Sequence, residues 1–246
     1  MAIEFIGMIG VRPEGAHGAA VHVIGGAIDM AWIRDFSRAH EGAGFDKVLV
    51  GYTSTAADGF LISSYAAAHT ERLGYLIAHR PGFVAPTLAA RKAATLDQLS
   101  GGRVALHIIT GGSDADQARD GDFVEHDTRY RRTDEYLELM RRMWTEERPF
   151  DHVGEFYRVT AAYSDVKPRQ QPRIPLYFGG ASEAAHRIGV RHCDVYMLWG
   201  EPLAAIRERI ATLRAFALRH GRDPRELRFS VSLRPIIAPT EAQAWD

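Results

Sequence analysis

The strongest constraint on the fold is a repeated alternation of short apolar runs with helical stripes. Residues 47–51 have the pattern of a strand, residues 58–69 that of an alanine-rich helix, and residues 73–78 that of the next strand. The helix predicted for residues 86–99 begins with a proline and ends before Ser100-Gly101-Gly102, a combination that favours a helix C-terminus. A switch of period at this spacing predicts parallel βα units.

The same pattern continues along the chain and gives seven predicted strands. Seven units favour an α/β fold of the (β/α)8 TIM-type barrel over an open doubly wound sheet. With no linker or low-complexity tract, we expect one barrel domain over residues 1–246. The further predicted strands are residues 3–11, 104–109, 174–178, 195–198 and 227–237, and the further helices are residues 29–40, 128–144, 182–190 and 202–220.

Two segments depart from this alternation of strands and helices. Residues 148–173 place aromatic and β-branched residues on both sides of Gly154, which predicts a β-hairpin inserted before the fifth strand. Near the end, Thr240 is followed three positions later by Gln243, and this capping box predicts a helix start. A closed barrel needs that helix, an eighth strand and an eighth helix. We therefore expect the barrel to be truncated after its seventh strand and the functional polypeptide to be longer.

Composition excludes several classes of function. Thirty Lys and Arg against 31 Asp and Glu give a net charge of −1, so we expect neither a nucleic-acid nor a membrane partner. The eleven histidines lack HxxxH or HxH spacing, so we expect no metal site, and the single cysteine, Cys193, is expected to pack in the core. No apolar run reaches the ~18 residues of a membrane span and the start lacks a basic signal, which predicts a cytoplasmic protein.

Polar residues follow the predicted strands, at the positions that form active sites in parallel barrels. The turn Gly179-Gly180-Ala181-Ser182 either binds a phosphate at a helix N-terminus or is an ordinary turn that Ser182 caps. His107, inside the fourth strand, either contacts a planar heterocycle or is a core histidine. Arg80 and Arg234 either bind an anionic or strongly polar substrate or form internal salt bridges. The other candidates are His79, Thr110 and Trp199 at strand ends, and His126 and Tyr130 at the start of a helix.

These motifs resemble those of the bacterial luciferase-like flavin monooxygenases, and most closely the two-component alkanesulfonate monooxygenases. The likeness runs in order along essentially the whole chain. The matching runs are Ala78-His79-Arg80-Pro81-Gly82-Phe83, Pro86-Thr87-Leu88-Ala89-Ala90-Arg91, Leu99-Ser100-Gly101-Gly102-Arg103, Ile109-Thr110-Gly111-Gly112, Asp120-Gly121-Asp122-Phe123, Tyr177-Phe178-Gly179-Gly180-Ala181-Ser182 and Trp199-Gly200-Glu201-Pro202.

The resemblance implies a barrel with an inserted hairpin that takes reduced FMN from a separate NAD(P)H-dependent flavin reductase. With O2, the flavin would form a C4a-(hydro)peroxyflavin that oxygenates a small organic substrate, organosulfur compounds included. We also expect a homodimer or a homotetramer. By the resemblance, Gly179, Gly180, Ala181 and Ser182 would hold the FMN phosphate, Thr110, His126 and Tyr130 would contact the flavin with His107, and Trp199 would line the substrate side. From its place at a strand end, His79 is expected on the substrate side as well. The catalytic candidates are His107, Arg80 and Arg234, because an imidazole or a guanidinium near the flavin could stabilise a peroxide anion.

Two positions depart from the sulfonate branch. Ala56 stands where that branch has a cysteine, and Ser232-Leu233-Arg234 stands where it has an Arg-x-His pair. The resemblance therefore does not extend to an alkanesulfonate substrate. Three alternatives stay open: a deazaflavin-dependent oxidoreductase of the same superfamily, a non-catalytic FMN-binding protein, and an unrelated barrel isomerase or aldolase that binds a sugar phosphate at Ser182.

Overall fold

The computed structural model describes residues 3–12, 26–233 and 235–245. The chain divides into two compact units, Met1–Tyr177 and Phe178–Asp246. Arg234 lies outside the described residues, so its catalytic role stays a prediction. None of the helices in the described ranges combines the length with the apolar composition that a membrane span requires.

The first unit consists of parallel strands joined by helices, with one inserted hairpin. Its elements are β1 (Ile6–Met8), α1 (Met30–Gly42), β2 (Lys47–Val50), α2 (Gly59–Ala67), β3 (Gly74–His79), α3 (Pro86–Leu99), β4 (Val104–Ile108), α4 (Asp114–Arg119), α5 (His126–Thr145), β5 (Phe150–Val153), β6 (Arg158–Ala162) and the start of β7 (Leu176–Gly179). The sheet order is β1-β2-β3-β4-β7, and β1 to β4 pair in parallel. The antiparallel pair β5 and β6 is the hairpin.

The second unit repeats the same βα arrangement. It contains the end of β7, α6 (Glu183–His192), β8 (Val195–Trp199), α7 (Leu203–Arg219), a 3-10 turn (Pro224–Glu226), β9 (Arg228–Ser232) and α8 (Glu241–Trp245). Its strand order is β7-β8-β9, and β8 pairs with β9 in parallel. The predicted α/β class with parallel βα units and the predicted hairpin are confirmed. A single domain over residues 1–246 stays a prediction.

Side-chain caps determine where several helices begin. Asp29, Asp58 and Ser182 each accept a hydrogen bond from the backbone N–H three positions later. The Thr240 hydroxyl caps α8 in the same way and accepts a hydrogen bond from the Gln243 N–H at 3.3 Å. Pro86 opens α3, where its missing N–H costs no helical bond. The helix starts predicted at Pro86, Ser182 and Thr240 are therefore confirmed.

The hydrophobic stripe of α5 lies against α3. Leu137, Met140 and Trp144 are buried, and the Trp144 Nε1 donates a hydrogen bond to the Ala90 carbonyl at 2.9 Å. Cys193, which follows α6, is also buried. The packing roles predicted for these residues are confirmed.

Arg103 joins two connections at the N-terminal ends of the strands. It lies just before β4, and its guanidinium donates to five acceptors within 3.1 Å. Four of these acceptors lie at the end of α2 or in the connection from α2 to β3, and the fifth lies in the turn after α3. The acceptors are the carbonyls of Ala67, Thr70, Leu73 and Ser100 and the Thr70 hydroxyl. All five N–H groups of this half-buried side chain are therefore satisfied.

Candidate active site

The side chains of β3 and β4 alternate between two faces of the sheet. His79, the last residue of β3, packs edge-on against Phe60 of α2, and its Nε2 lies 2.8 Å from the Tyr136 hydroxyl of α5. His79 therefore faces the helices. Ala78 is the register partner of His107, so the His107 side chain is on the other face. The structure does not bring the two histidines together, and the substrate role of His79 stays a prediction.

His107 is half-buried near the C-terminal end of β4. Burial lowers its pKa to about 4, so the imidazole is neutral near pH 7. Among the described residues, no group forms a hydrogen bond or an ion pair with this ring. A neutral imidazole offers one donor and one acceptor, which suits a planar heterocycle placed against this face of the sheet.

Arg80 follows β3 directly and is only 6% exposed. Its Nη2 lies 2.7 Å from Asp116 Oδ2, and its Nη1 lies 3.9 Å from Asp120 Oδ2. The guanidinium also stacks 4.4 Å from the centre of the Tyr52 ring. One cation therefore faces two carboxylates, and its charge is neutralised within the protein. The predicted catalytic role of Arg80 stays a prediction.

Asp116 is the main partner of Arg80. Burial alone would raise the pKa of this carboxyl, but hydrogen bonds from Ser54 and Arg80 outweigh it and bring the pKa to about 2. The Ser54 backbone N–H and hydroxyl donate to Asp116 Oδ1 at 3.0 and 2.6 Å. The carboxylate thus joins the ends of β2 and β3 to α4.

Two further ion pairs hold the residues around α4, which we call the acidic segment (residues 114–122). Arg129 of α5 is buried and donates to Asp114 Oδ1 at 2.8 Å. Arg132 of α5 donates to both carboxylate oxygens of Asp122, and both of these side chains are largely buried. With Arg80 and Asp116, three arginines therefore anchor three aspartates of the acidic segment.

Gly111 allows the chain to turn from β4 into the acidic segment. Its φ is +95°, a conformation that suits glycine. A Cβ at this position would overlap the side-chain amide of Gln117, whose Nε2 donates to the carbonyl of Thr110 at 2.8 Å. Gln117 and Thr110 are both buried. The turn therefore fixes the backbone of Thr110, one of the predicted flavin contacts.

His126 and Tyr130 lie on the first turns of α5. Their rings are 4.9 Å apart, and His126 Nδ1 lies 2.9 Å from Asp127 Oδ1. His126 is exposed, so its ring is accessible from solvent. Contact of these two rings with a flavin stays a prediction.

In the second unit, the turn Gly179-Gly180-Ala181-Ser182 leads from β7 into α6. A Cβ at Gly179 would lie 2.9 Å from the Met197 carbonyl oxygen, so only glycine fits beside β8. Residues 180–182 are exposed, and Ser182 Oγ accepts from the Ala185 N–H at 3.1 Å. A glycine cradle before an exposed helix N-terminus fits a phosphate group. Trp199, at the end of β8, is 71% exposed.

A cavity of about 750 Å³ opens in the first unit, beyond the ends of β2 and β3. Its lining includes Tyr52, Phe83, Asp120, Phe123 and Val124. The sequence analysis did not identify Tyr52, and it used the Asp-Gly-Asp-Phe run only as a mark of resemblance. The available signal was the position of Tyr52, two residues after the end of β2.

We expect acid to destabilise the protein through His79 and His107. Burial lowers each folded-state pKa to about 4, against ~6.5 in the unfolded chain. Their contribution to stability is therefore complete above pH ~6.5 and is lost as the pH falls to ~4, by up to about 1.4 kcal/mol per pH unit for each histidine. Urea unfolding at several pH values measures this slope. His79→Gln should lose less stability between pH ~7 and ~5 than the wild type. Equal losses would contradict the prediction.

Parallel strands joined by helices, with polar residues at the carboxyl ends of the strands, are typical of α/β enzymes. Residues 3–246 match the model of the luciferase-like monooxygenase family, and the chain belongs to that family. The predicted family is therefore confirmed.

Solved structures of several enzymes share this fold, among them the three that follow. Riboflavin lyase RcaE, with modified FMN and the substrate riboflavin, has 24% identity and a TM-score of 0.80 over 87% of this chain and 57% of that chain. EDTA monooxygenase EmoA from Chelativorans sp. BNC1 has 22% identity and a TM-score of 0.77, over 87% of this chain and 57% of that chain. Coenzyme F420-dependent tetrahydromethanopterin reductase from Methanopyrus kandleri has 17% identity and a TM-score of 0.79, over 99% of this chain and 69% of that chain. The chain spans less than two thirds of the length of the first two.

Proposed function

We propose that the protein is a flavin-dependent monooxygenase that uses reduced FMN and O2 to oxygenate a small organic substrate. The observation that carries this proposal is the exposed, Ser182-capped start of α6 behind a glycine cradle, in a chain of the luciferase-like family. Such a helix start favours an anion through its free N–H groups and its dipole. A phosphorylated cofactor is therefore the ligand that fits this turn.

The residues at the strand ends have distinct tasks in this proposal. Ser182 and the glycines before it would hold the FMN phosphate, and the neutral imidazole of His107 would hydrogen-bond the ring edge, helped by Thr110, His126 and Tyr130. When bound, reduced FMN supplies the electrons that activate O2. The exposed indole of Trp199 would cover the substrate side and exclude water.

A separate NAD(P)H-dependent flavin reductase would supply the reduced FMN, and the enzyme would act as a homodimer or a homotetramer. The first test combines the protein with FMN, NADH, a general flavin reductase and ¹⁸O2. Mass spectrometry then screens sulfonates, sulfones, alkyl sulfides and amines for the label. We expect labelled product only when the protein is present. FMN binding with no labelled product from any substrate would favour a non-catalytic flavin-binding protein.

Ser182→Asp tests the phosphate site. Aspartate caps a helix as well as serine does, so the free energy of unfolding should change little. Its carboxylate would repel the phosphate, and we expect FMN affinity to fall by about 2 kcal/mol, roughly thirtyfold. Quenching of FMN fluorescence measures the affinity. Ser182→Thr, which keeps the hydroxyl cap, is the control and should bind FMN as the wild type does. Unchanged affinity in Ser182→Asp would refute this placement.

The alternative is hydride transfer with a deazaflavin. It is favoured by the likeness to the F420-dependent reductase, which matches 99% of this chain. Parallel titrations with FMN and with F420 separate the two proposals. Tighter binding of F420 would replace the monooxygenase proposal with that of a deazaflavin-dependent oxidoreductase.

A further inference from the structure

We propose that the cavity bounded by Tyr52, Phe83, Asp120, Phe123 and Val124 binds a small organic cation with an apolar body, such as a protonated arylalkylamine. The charges that surround the cavity give the first argument. Arg129 pairs with Asp114, Arg132 with Asp122 and Arg80 with Asp116. The cavity lining itself holds two carboxylates, Asp120 and Asp122, and one guanidinium, that of Arg132, which is bound to Asp122. The lining therefore carries one negative charge in excess, that of Asp120.

Asp120 presents that excess charge to the cavity. Its side chain is 25% exposed, and it lines the cavity. The Tyr52 hydroxyl donates to Asp120 Oδ2. The nearest cation, the Arg80 Nη1, is 3.9 Å from this oxygen, beyond hydrogen-bond distance, and Arg80 is already bound to Asp116. A ligand cation would therefore contact a carboxylate whose negative charge the protein neutralises only in part.

The walls of the cavity suit the apolar part of the ligand. The Tyr52 and Phe83 rings are nearly parallel, with an interplanar angle of 13° and centroids 6.4 Å apart. Phe123 is 81% exposed and also lines the cavity, as does its neighbour Val124. The Arg80 guanidinium already lies over the half-buried Tyr52 and Phe83 rings, at 4.4 and 5.6 Å from their centres, so Phe123 offers the exposed aromatic face. An exposed ring beside a carboxylate attracts an organic cation through both burial and the ring quadrupole.

This inference reverses the expectation from the sequence that Arg80 attracts an anionic substrate. Arg80 is buried, and its charge is smaller than that of the two carboxylates it faces. The cavity lies beyond the C-terminal ends of β2 and β3, where barrel enzymes bind substrates. Its assignment as the substrate site rests on the proposed function, whereas the binding of a cation does not.

Two probes of the same shape test the inference without any flavin. Isothermal titration measures binding of phenethylammonium and of 2-phenylethanesulfonate to the whole chain. We expect the ammonium to bind and the sulfonate to bind at least about tenfold more weakly. Equal affinities, tighter binding of the sulfonate, or no binding of the ammonium would each overturn the inference.

Matched variants locate the site. Asp120→Asn keeps an acceptor for the Tyr52 hydroxyl and should weaken phenethylammonium binding about five- to tenfold. Asp127→Asn removes the same charge from an exposed position outside the cavity and should leave the affinity within about twofold. Equal weakening by both would assign the effect to net charge and refute the site.

Phe123→Ala truncates an exposed side chain, so it tests the cavity even where Asp120→Asn fails to fold. It should weaken phenethylammonium binding about threefold, and an unchanged affinity would count against the aromatic wall.

A separate FMN titration distinguishes the cation site from the proposed flavin function. Amine binding without FMN binding would refute the flavin function and leave this site standing.

Discussion

Replacement of Arg103 by methionine is expected to lower the free energy of unfolding by about 3–5 kcal/mol. The substitution keeps most of the aliphatic stem but removes five hydrogen bonds. It leaves the acceptors of the α2–β3 connection without their charged donor, and each unsatisfied group that stays buried costs about 1–3 kcal/mol. Urea unfolding at neutral pH measures the loss.

Arg91→Met is the control for Arg103→Met. Arg91 lies on the exposed side of α3, so its loss should change stability by no more than about 0.5 kcal/mol. The stability of Arg103→Lys should lie between those of Arg103→Met and Arg91→Met, because an ammonium has three donors and lacks the planar guanidinium geometry. Equal stabilities of Arg103→Met and Arg91→Met would show that the Arg103 hydrogen bonds contribute no net stability.

Gly111→Ala is expected to cost about 3 kcal/mol and to loosen the acidic segment. The new Cβ would require a strained positive φ, and it would displace the Gln117 amide from the Thr110 carbonyl. Hydrogen exchange should report the loosening at the Asp122 N–H, which donates to the Gln117 carbonyl at 3.0 Å.

The neighbouring residue supplies the control. A Cβ at Gly112 meets no atom within 4 Å, so Gly112→Ala should leave stability within about 0.5 kcal/mol of the wild type. A similar loss in both variants would mean that general stiffening of the turn, and not the overlap with Gln117, determines the effect.

The boundaries of α3 could be predicted from the sequence because its signals are local. Pro86 fixes the first turn, and Gly101 follows the helix with a φ of +74°. The short helix α4 could not be predicted in this way. Its sequence, Asp-Ala-Asp-Gln-Ala-Arg, has no apolar stripe, and its position depends on ion pairs with Arg80 and Arg129, which are distant in sequence.

The sequence could predict that His79 and Arg80 lie at the end of a strand, but not the direction of their side chains. The sequence pattern ended the third strand at residue 78, whereas β3 includes His79. That single residue matters, because alternation then directs the His79 side chain toward α2 and α5. The sequence also did not predict which carboxylate binds Arg80. Asp116 lies 36 positions further along the chain, and only the tertiary fold brings the two side chains together.

The anchoring of the acidic segment has a consequence for how this protein can evolve or be engineered. The backbone is held at Asp114, Asp116 and Asp122 by three separate arginines. At the cavity-facing positions 123 and 124, the side chains take part in none of these ion pairs, and Arg129 also holds the backbone carbonyl of Val124 at 2.6 Å, a bond that a side-chain substitution does not remove. Substitutions there can change ligand preference while the loop keeps its path, so a library of variants at these positions should yield folded proteins with new selectivity at high frequency.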